Sequence, residues 1–435
     1  MLFRSAGLSS AQATDYFGRM RRTTSVLFLL ALRTQAQDCS IPFTEPLFDV
    51  RHDSDLWYGN ATRFDGGTDS LRLDLYKPVG DGQTERPLVV AIHGGGFYEG
   101  NRSELGSYCS SLASMGWACA TISYRLGFYG TGLFQPPWAY DPFEVQRAIY
   151  RAAQDAKGAV RFLKGRHGQD STSTTNVLLL GFSAGAITAL HAAYMDLPAE
   201  KPVGAGALAD VQHLFTFYPR PDLGAVEGEL HTGSYDASVL GVVSMYGALL
   251  DTAFIGGALD PALYTYHQNG DPIVACGFNR PYWGIGFGIP DNDPYLFGSC
   301  AIAPRMQHLG FAPDRYHATV YNGNEHAVHD PTAIFNESTQ WMRDLFCLST
   351  AIPVAATTAQ GLLAYPSPSS GLITLESTDG APGLLRVQDI TGRLLHEDRC
   401  TEWPCTIDLS AAPRGTHLIT LIGEDGVVRR TRIVL

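Results

Sequence analysis

The chain has 435 residues, of which 45% are hydrophobic and 17% charged, a globular composition that excludes extended disorder. Its length suits two or three domains. A formal net charge of −12 argues against a protein that works by neutralising phosphates, so nucleic acid is not an expected partner.

The first expected element is an address. Arg19, Arg21 and Arg22 precede an apolar run from Val26 to Leu32, and Thr34-Gln35-Ala36 reads as a small-residue cleavage site, so residues 1–36 are expected to be a signal peptide. Met20, directly before the basic pair, offers an alternative start that would leave residues 1–19 outside the protein. The run is too short to span a bilayer, and no transmembrane segment is expected.

Residues 37–347 then alternate short apolar runs with helical ones. Strands are expected at Leu71–Tyr76, Leu88–Ile92, Ala118–Tyr124, Val177–Leu180, Leu240–Met245, Leu263–Tyr266 and Tyr316–Tyr321. Val145, Ile149, Ala152, Ala156, Val160 and Leu163 recur at helical spacing and present one apolar stripe. Such alternation predicts an α/β class with a mostly parallel sheet flanked by helices. Leu348–Gln360 is a linker rich in Ala and Thr. Residues 361–435 lack lysine and helical periodicity, and turn signals at Asp379-Gly380, Thr391-Gly392 and Asp425-Gly426 predict a small C-terminal all-β sandwich.

Eight cysteines fit an oxidising compartment. None forms a Cys-x-x-Cys pair, so no zinc site is expected. Cys400 and Cys405 bracket a short turn and are the easiest pair to bridge, followed by Cys276 and Cys300 around an aromatic loop. Cys119, inside an apolar run, is expected to be a free core thiol.

Two glycine-rich segments carry the chemistry. Gly181-Phe182-Ser183-Ala184-Gly185 follows a strand and opens a helix over Ala186–Met195, where only tiny neighbours leave room for a sharp turn bearing an exposed serine. His93-Gly94-Gly95-Gly96-Phe97 follows an earlier strand, and the N–H groups of Gly95 and Gly96, with that of Ala184, would form an oxyanion hole. His93 itself reads as a structural support of that loop. A serine nucleophile needs a base and an orienting acid, in the chain order Ser, acid, His. Asp271 lies just beyond one expected strand and is preferred as the acid over Asp251. His326 follows the last strand, after the turn at Gly323, and is preferred as the base over His329. Glu325, His326 and His329 do not make a zinc pattern, and no metal or cofactor is expected.

On these two motifs together, residues 71–346 resemble an α/β-hydrolase of the carboxylesterase/lipase group. The pairing is similar to type-B carboxylesterases, hormone-sensitive-lipase-like esterases and bacterial feruloyl esterases. The stretch around Asp271 resembles the family's His-Gly-x-x-Asp-Pro-x-Val segment, with Gln268 standing in place of glycine. Tyr365-Pro366-Ser367-Pro368-Ser369-Ser370-Gly371, Val387 through Arg393, Ile407-Asp408-Leu409-Ser410 and the end Arg430–Leu435 resemble a type A sorting domain of the type IX (Por) secretion system. Ser367 stands where that family usually has asparagine.

The resemblances imply a secreted or surface-held serine esterase, with an ester on a small molecule or polymer as substrate and the type IX machinery as partner. A serine peptidase on the same fold and a catalytically silent binding protein are the alternatives. The peptidase lacks support in the triple glycine and in any propeller-length N-terminal domain. The silent protein would normally have lost its serine or histidine. Three aromatic insertions, Phe128–Tyr140, Phe215–Leu223 and Phe278–Phe297, could wall a substrate cleft or be ordinary packing under long loops.

Overall fold

The structure is a computed structural model. It describes residues 39–131, 138–213, 215–286, 288–350 and most of 362–434. The expected signal peptide, the linker from residue 351 on and the turns at Thr391-Gly392 and Asp425-Gly426 lie outside the described residues.

Eight strands form the main sheet: β1 (Asp49–Thr62), β2 (Thr68–Val79), β3 (Arg86–Ile92), β4 (Ala118–Ile122), β5 (Thr172–Phe182), β6 (Gly241–Met245), β7 (Ala262–Gln268) and β8 (Tyr316–Tyr321). Their order is β1-β2-β4-β3-β5-β6-β7-β8. β1 and β2 pair antiparallel, β2 joins β4 antiparallel, and from β4 to β8 every pairing is parallel. This is the sheet of an α/β-hydrolase fold. β3, β4 and β6 are buried almost throughout, as strands covered on both faces must be.

Helices cover both faces. On one side α2 (Pro142–Gly165), α3 (Ala184–Tyr194) and α4 (Ser299–His308) share an apolar core with Val90, Leu179 and Val242. On the other, α1 (Gly106–Ser114) and α5 (Pro331–Thr350) pack with Val89, Leu180 and Tyr264. α2 begins where Asp141 accepts hydrogen bonds from the N–H groups of Phe143 (2.9 Å) and Glu144 (3.2 Å), with Pro142 in its first turn. α5 runs to Thr350, so helix continues past the boundary expected at residue 347.

Two expectations are corrected. β1 was not anticipated: its sequence is largely polar, it lies at the sheet edge, and register shifts interrupt its pairing, so no steady alternation marks it. Cys119 is not a free thiol. It is bonded to Cys109 of α1, with Cα atoms 5.0 Å apart. The apolar run of β4 reported burial, but only the docking of α1 on that face brings the second sulfur to it. Cys276–Cys300 and Cys400–Cys405 are bridged, and Cys39 is joined to Cys347 of α5.

The C-terminal segment contains β9 (Leu362–Tyr365), β10 (Leu372–Ser377), β11 (Gly383–Asp389), β12 (Leu394–Cys400), β13 (Cys405–Asp408), β14 (Thr416–Gly423) and β15 (Val428–Val434). They form two antiparallel sheets, β9-β10-β13 and β12-β11-β14-β15. Ile373, Leu375 and Ile407 of the first share one core with Leu385, Val387, Ile419 and Ile433 of the second, which makes a sandwich.

Candidate active site

Parallel strands in an α/β sheet deliver their following loops to one edge, and the chemistry-bearing residues gather there. Ser183 sits between β5 and α3 with φ 54° and ψ −122°, a left-handed conformation that costs a non-glycine residue on the order of 1–3 kcal/mol. The surroundings enforce it. A Cβ on Gly181 would lie 2.2 Å from the Gly185 carbonyl oxygen, and one on Gly185 would lie 2.1 Å from that of Ile92. The Ser183 N–H donates to Met245 O at 3.0 Å, and its carbonyl accepts from Ile187 at 2.9 Å.

The bend points the hydroxyl at His326. Ser183 Oγ lies 2.7 Å from His326 Nε2, and His326 Nδ1 lies 2.7 Å from Asp271 Oδ2. The carboxylate can only accept, so Nδ1 carries the proton and Nε2 is left to accept from the hydroxyl. Asp271 is fully buried, and its Oδ1 accepts from the N–H groups of Ile273 (2.8 Å) and Val274 (3.1 Å). Burial pushes this carboxyl up, but His267, His326 and the backbone outweigh it and hold the group at about 2. It is therefore ionised at neutral pH.

Several partners escaped the sequence reading. His267 Nε2 donates to Val274 O (2.8 Å) and lies 3.6 Å from Asp271 Oδ2, while its Nδ1 lies 3.0 Å from Ser299 Oγ. The Tyr246 ring meets the His326 ring edge-on at 4.6 Å. Burial, with the Asp271 charge behind it, pushes the Tyr246 phenol up to about 12. Gln268 brackets His326: its Oε1 accepts from Glu325 N–H and its Nε2 donates to Ala327 O, both at 2.9 Å. A Cβ on Gly323 would lie 2.1 Å from Gln268 Oε1, so the glycine turn makes room for this clamp. The replacement of glycine by Gln268 was the signal available in sequence.

The glycine loop after β3 lies beside the serine turn: a Cβ on Gly94 would fall 3.4 Å from Ser183 Cβ. Gly95 (φ 103°) and Gly96 (φ 58°) have positive φ, and the Gly95 carbonyl accepts from Tyr98 and Glu99 at 3.1 and 3.0 Å. His93 is buried, stacks on Tyr124 at 4.5 Å and places Nδ1 2.8 Å from Gly94 O. Burial lowers its pKa, which fits a neutral ring supporting the loop.

The two competitors stand elsewhere. Asp251 caps a short turn by accepting from Ala253 N–H at 2.8 Å. His329 stacks on Tyr321 at 3.8 Å and pairs with the Tyr266 hydroxyl at 2.9 Å.

A cleft opens at Ser183 and Ala184, lined by Phe128 and Trp138 of the first aromatic insertion and by Tyr282 and Leu296 of the third. Phe287 lies outside the described residues. The second insertion does not line it. Thr216–Arg220 forms a hairpin with Leu208–His213, Tyr218 stacks on Tyr129 at 4.4 Å, and Phe215 is 97% exposed.

Residues 49–134 match the model of the carboxylesterase family. Gut esterase 1 of Caenorhabditis briggsae is 30% identical over 155 residues, 33% of this chain and 25% of that protein. Gut esterase 1 of Caenorhabditis elegans is 29% identical over 151 residues, 32% of this chain and 24% of that protein. The chain thus spans about a quarter of the length of these curated relatives. Among solved structures, Thermogutta terrifontis esterase 2 phosphorylated by paraoxon is 14% identical, with 70% of this chain and 95% of that chain covered and a TM-score of 0.43. A truncated carbohydrate esterase from gut microbiota is 14% identical, with 69% and 98% covered and a TM-score of 0.40.

Among the described residues no cluster of three or more His, Cys, Asp or Glu side chains has the arrangement of a metal site, and no helix is long and apolar enough to cross a membrane.

Proposed function

We propose that this protein is a secreted serine carboxylic-ester hydrolase that works through an acyl-enzyme. The observation that carries the reading is the chain of two 2.7 Å contacts from Ser183 Oγ through His326 to Asp271, built on a strained turn at the sheet edge. The match of residues 49–134 to the carboxylesterase family and the likeness to gut esterases add to it.

In this reading His326 Nε2 takes the Ser183 proton as Oγ attacks the ester carbonyl carbon. Asp271 remains an anion and stabilises the imidazolium that forms. The carbonyl oxygen, now negative, is received by the N–H groups of Gly95, Gly96 and Ala184, the last at the start of α3 where the helix dipole favours negative charge. Collapse of the tetrahedral intermediate breaks the bond to the alcohol, which leaves with the proton from His326. Water then attacks the acyl-serine by the same route in reverse role, with His326 as base, and the carboxylic acid is released.

Residues 1–36 would direct export from the cytoplasm, and the sandwich of residues 361–435 would be read by the type IX secretion machinery, leaving the enzyme released or surface-held. An ester on a small molecule or a polymer is the substrate. The test is hydrolysis of p-nitrophenyl acetate and butyrate by the wild type and by Ser183→Ala. The variant is expected to lose about 10⁴-fold or more in kcat with its circular dichroism and melting unchanged. Comparable turnover by the variant would reject the reading.

A further inference from the structure

The cleft beside Ser183 is apolar on nearly every side, with Phe97, Val145, Ile187 and Leu296 among its walls, yet one carboxyl is set into it, that of Asp293. Asp293 is 6% exposed. It closes the turn Ile289–Asn292, its N–H donating to Pro290 O at 3.0 Å. Its carboxylate oxygens have no hydrogen-bond or ion-pair partner among the described residues. Arg280, the cation whose field reaches it, is itself paired to Asp291 at 2.7 Å and lies over the Tyr295 ring at 4.7 Å.

Other buried or capping aspartates in this chain find donors. Asp271 has two N–H groups and a histidine, and Asp155 has Arg125. A carboxyl set into an apolar wall with no protein donor gives up part of its hydration, which a leucine there would not. Burial pushes Asp293 up to about 7 against the opposing field of Arg280, as expected of a carboxyl with no donor among the described residues. A wall residue of this kind is satisfied when a ligand brings the missing donor. Around it, Trp138 and Tyr282 meet edge-to-face at 5.0 Å and flank the same cleft with flat surfaces that suit a ring or a short chain.

We propose that Asp293 determines specificity by receiving a hydrogen-bond donor, a hydroxyl or an ammonium, carried by the part of the ester that fills this cleft. The proposal rests on the esterase reading and names the substrate class for the same site: esters bearing a donor at the end of an apolar or aryl body.

The test compares kcat/KM within matched sets. One set is methyl 3-phenylpropanoate with its 4-hydroxyphenyl and 4-(aminomethyl)phenyl counterparts. The other is 2-phenylethyl acetate with the same two ring substituents, which places the donor on the alcohol half instead. In at least one set a donor-bearing ester is expected to exceed its parent by about tenfold or more, the scale of a hydrogen bond to a charged group. Asp293→Leu should bring that ratio to about one, and Asp293→Asn, which keeps the volume, should cut it several-fold. Whether the hydroxyl or the ammonium arm leads identifies the donor. Parents hydrolysed as well as every donor-bearing ester, or a preference that survives in both variants, would overturn the inference. Parent hydrolysis that disappears in Ser183→Ala upholds the esterase reading independently, whereas no hydrolysis of any ester would overturn both.

Discussion

In the C-terminal sandwich the buried residues that are described are apolar apart from His417 and Thr420, whereas the eight-stranded domain buries Asp271, His267, Gln268, Asp293 and a row of cations on α2. Three of these cations find anions. Arg161 is bonded to Glu227 at 2.8 Å, Lys157 to Glu227 and the Met195 carbonyl, and Lys164 to Asp236 and the Ser238 carbonyl. The groups near Ser183 differ from both: they are bonded to one another in a directed chain, or, for the Asp293 carboxylate, have no partner among the described residues. Apolar burial holds a fold together without naming a task. Buried polar groups demand partners, and where the partners converge on one hydroxyl they describe a reaction.

Breaking the directed chain gives the largest expected effect. Asp271→Asn should lower kcat by about 10⁴-fold, because the amide can present its N–H to the ring and favour the wrong tautomer of His326. The same substitution tests a stability claim. The Asp271 carboxyl is held at about 2 against an ordinary value of 3.8, so its contribution is complete above the unfolded value and is lost as pH falls through about 2. Wild type is therefore expected to lose roughly 2 kcal/mol more stability than the variant between pH 5 and pH 2, read by urea unfolding.

The next effect sharpens the difference between bonded positioning and mere packing. Gln268→Ala should lower kcat by roughly 10- to 100-fold with little change in KM, since it frees the backbone on both sides of His326. Gln268→Glu distinguishes geometry from bulk. Its carboxyl keeps one acceptor at every pH but regains a donor for Ala327 only when protonated, so its activity relative to wild type at the same pH should rise as pH falls.

Removing the Cys276–Cys300 bridge by serine substitution of both residues should cost about 3 kcal/mol of stability and raise KM for aryl esters, because the bridge closes the segment carrying Tyr282 and Asp293. The smallest effect on catalysis belongs to the sandwich. Deleting residues 361–435 should leave kcat/KM unchanged and abolish export in a host that carries the type IX machinery. A truncated enzyme with impaired hydrolysis would mean that the two regions are not independent.

Much of the architecture could be read in advance where burial is two-sided. β3, β5 and β7 were visible as runs of Leu, Val and Tyr, and α2 as a stripe of Val145, Ile149, Ala152 and Val160, because periodicity reports which faces meet a core. β1 was invisible since an edge strand with polar alternation gaps leaves no such trace. At the site, the glycines around Ser183 and in the loop after β3 were legible because tight backbone approach excludes every other residue, as the 2.1 and 2.2 Å clearances at Gly185 and Gly181 demonstrate.

Chain order and position after strands pointed to Ser183, Asp271 and His326, and the structure brings their side chains into contact, because loops that follow parallel strands emerge at one sheet edge. Sequence could not say that Cys119 faces Cys109, that Gln268 holds the backbone on either side of His326, that His329 is taken up by tyrosine rings, or that Asp293 lines the cleft beside Ser183. Each of those depends on distances between segments remote in the chain. Only helix docking and loop closure over the sheet set them, and no local pattern of residues encodes a distance across the core.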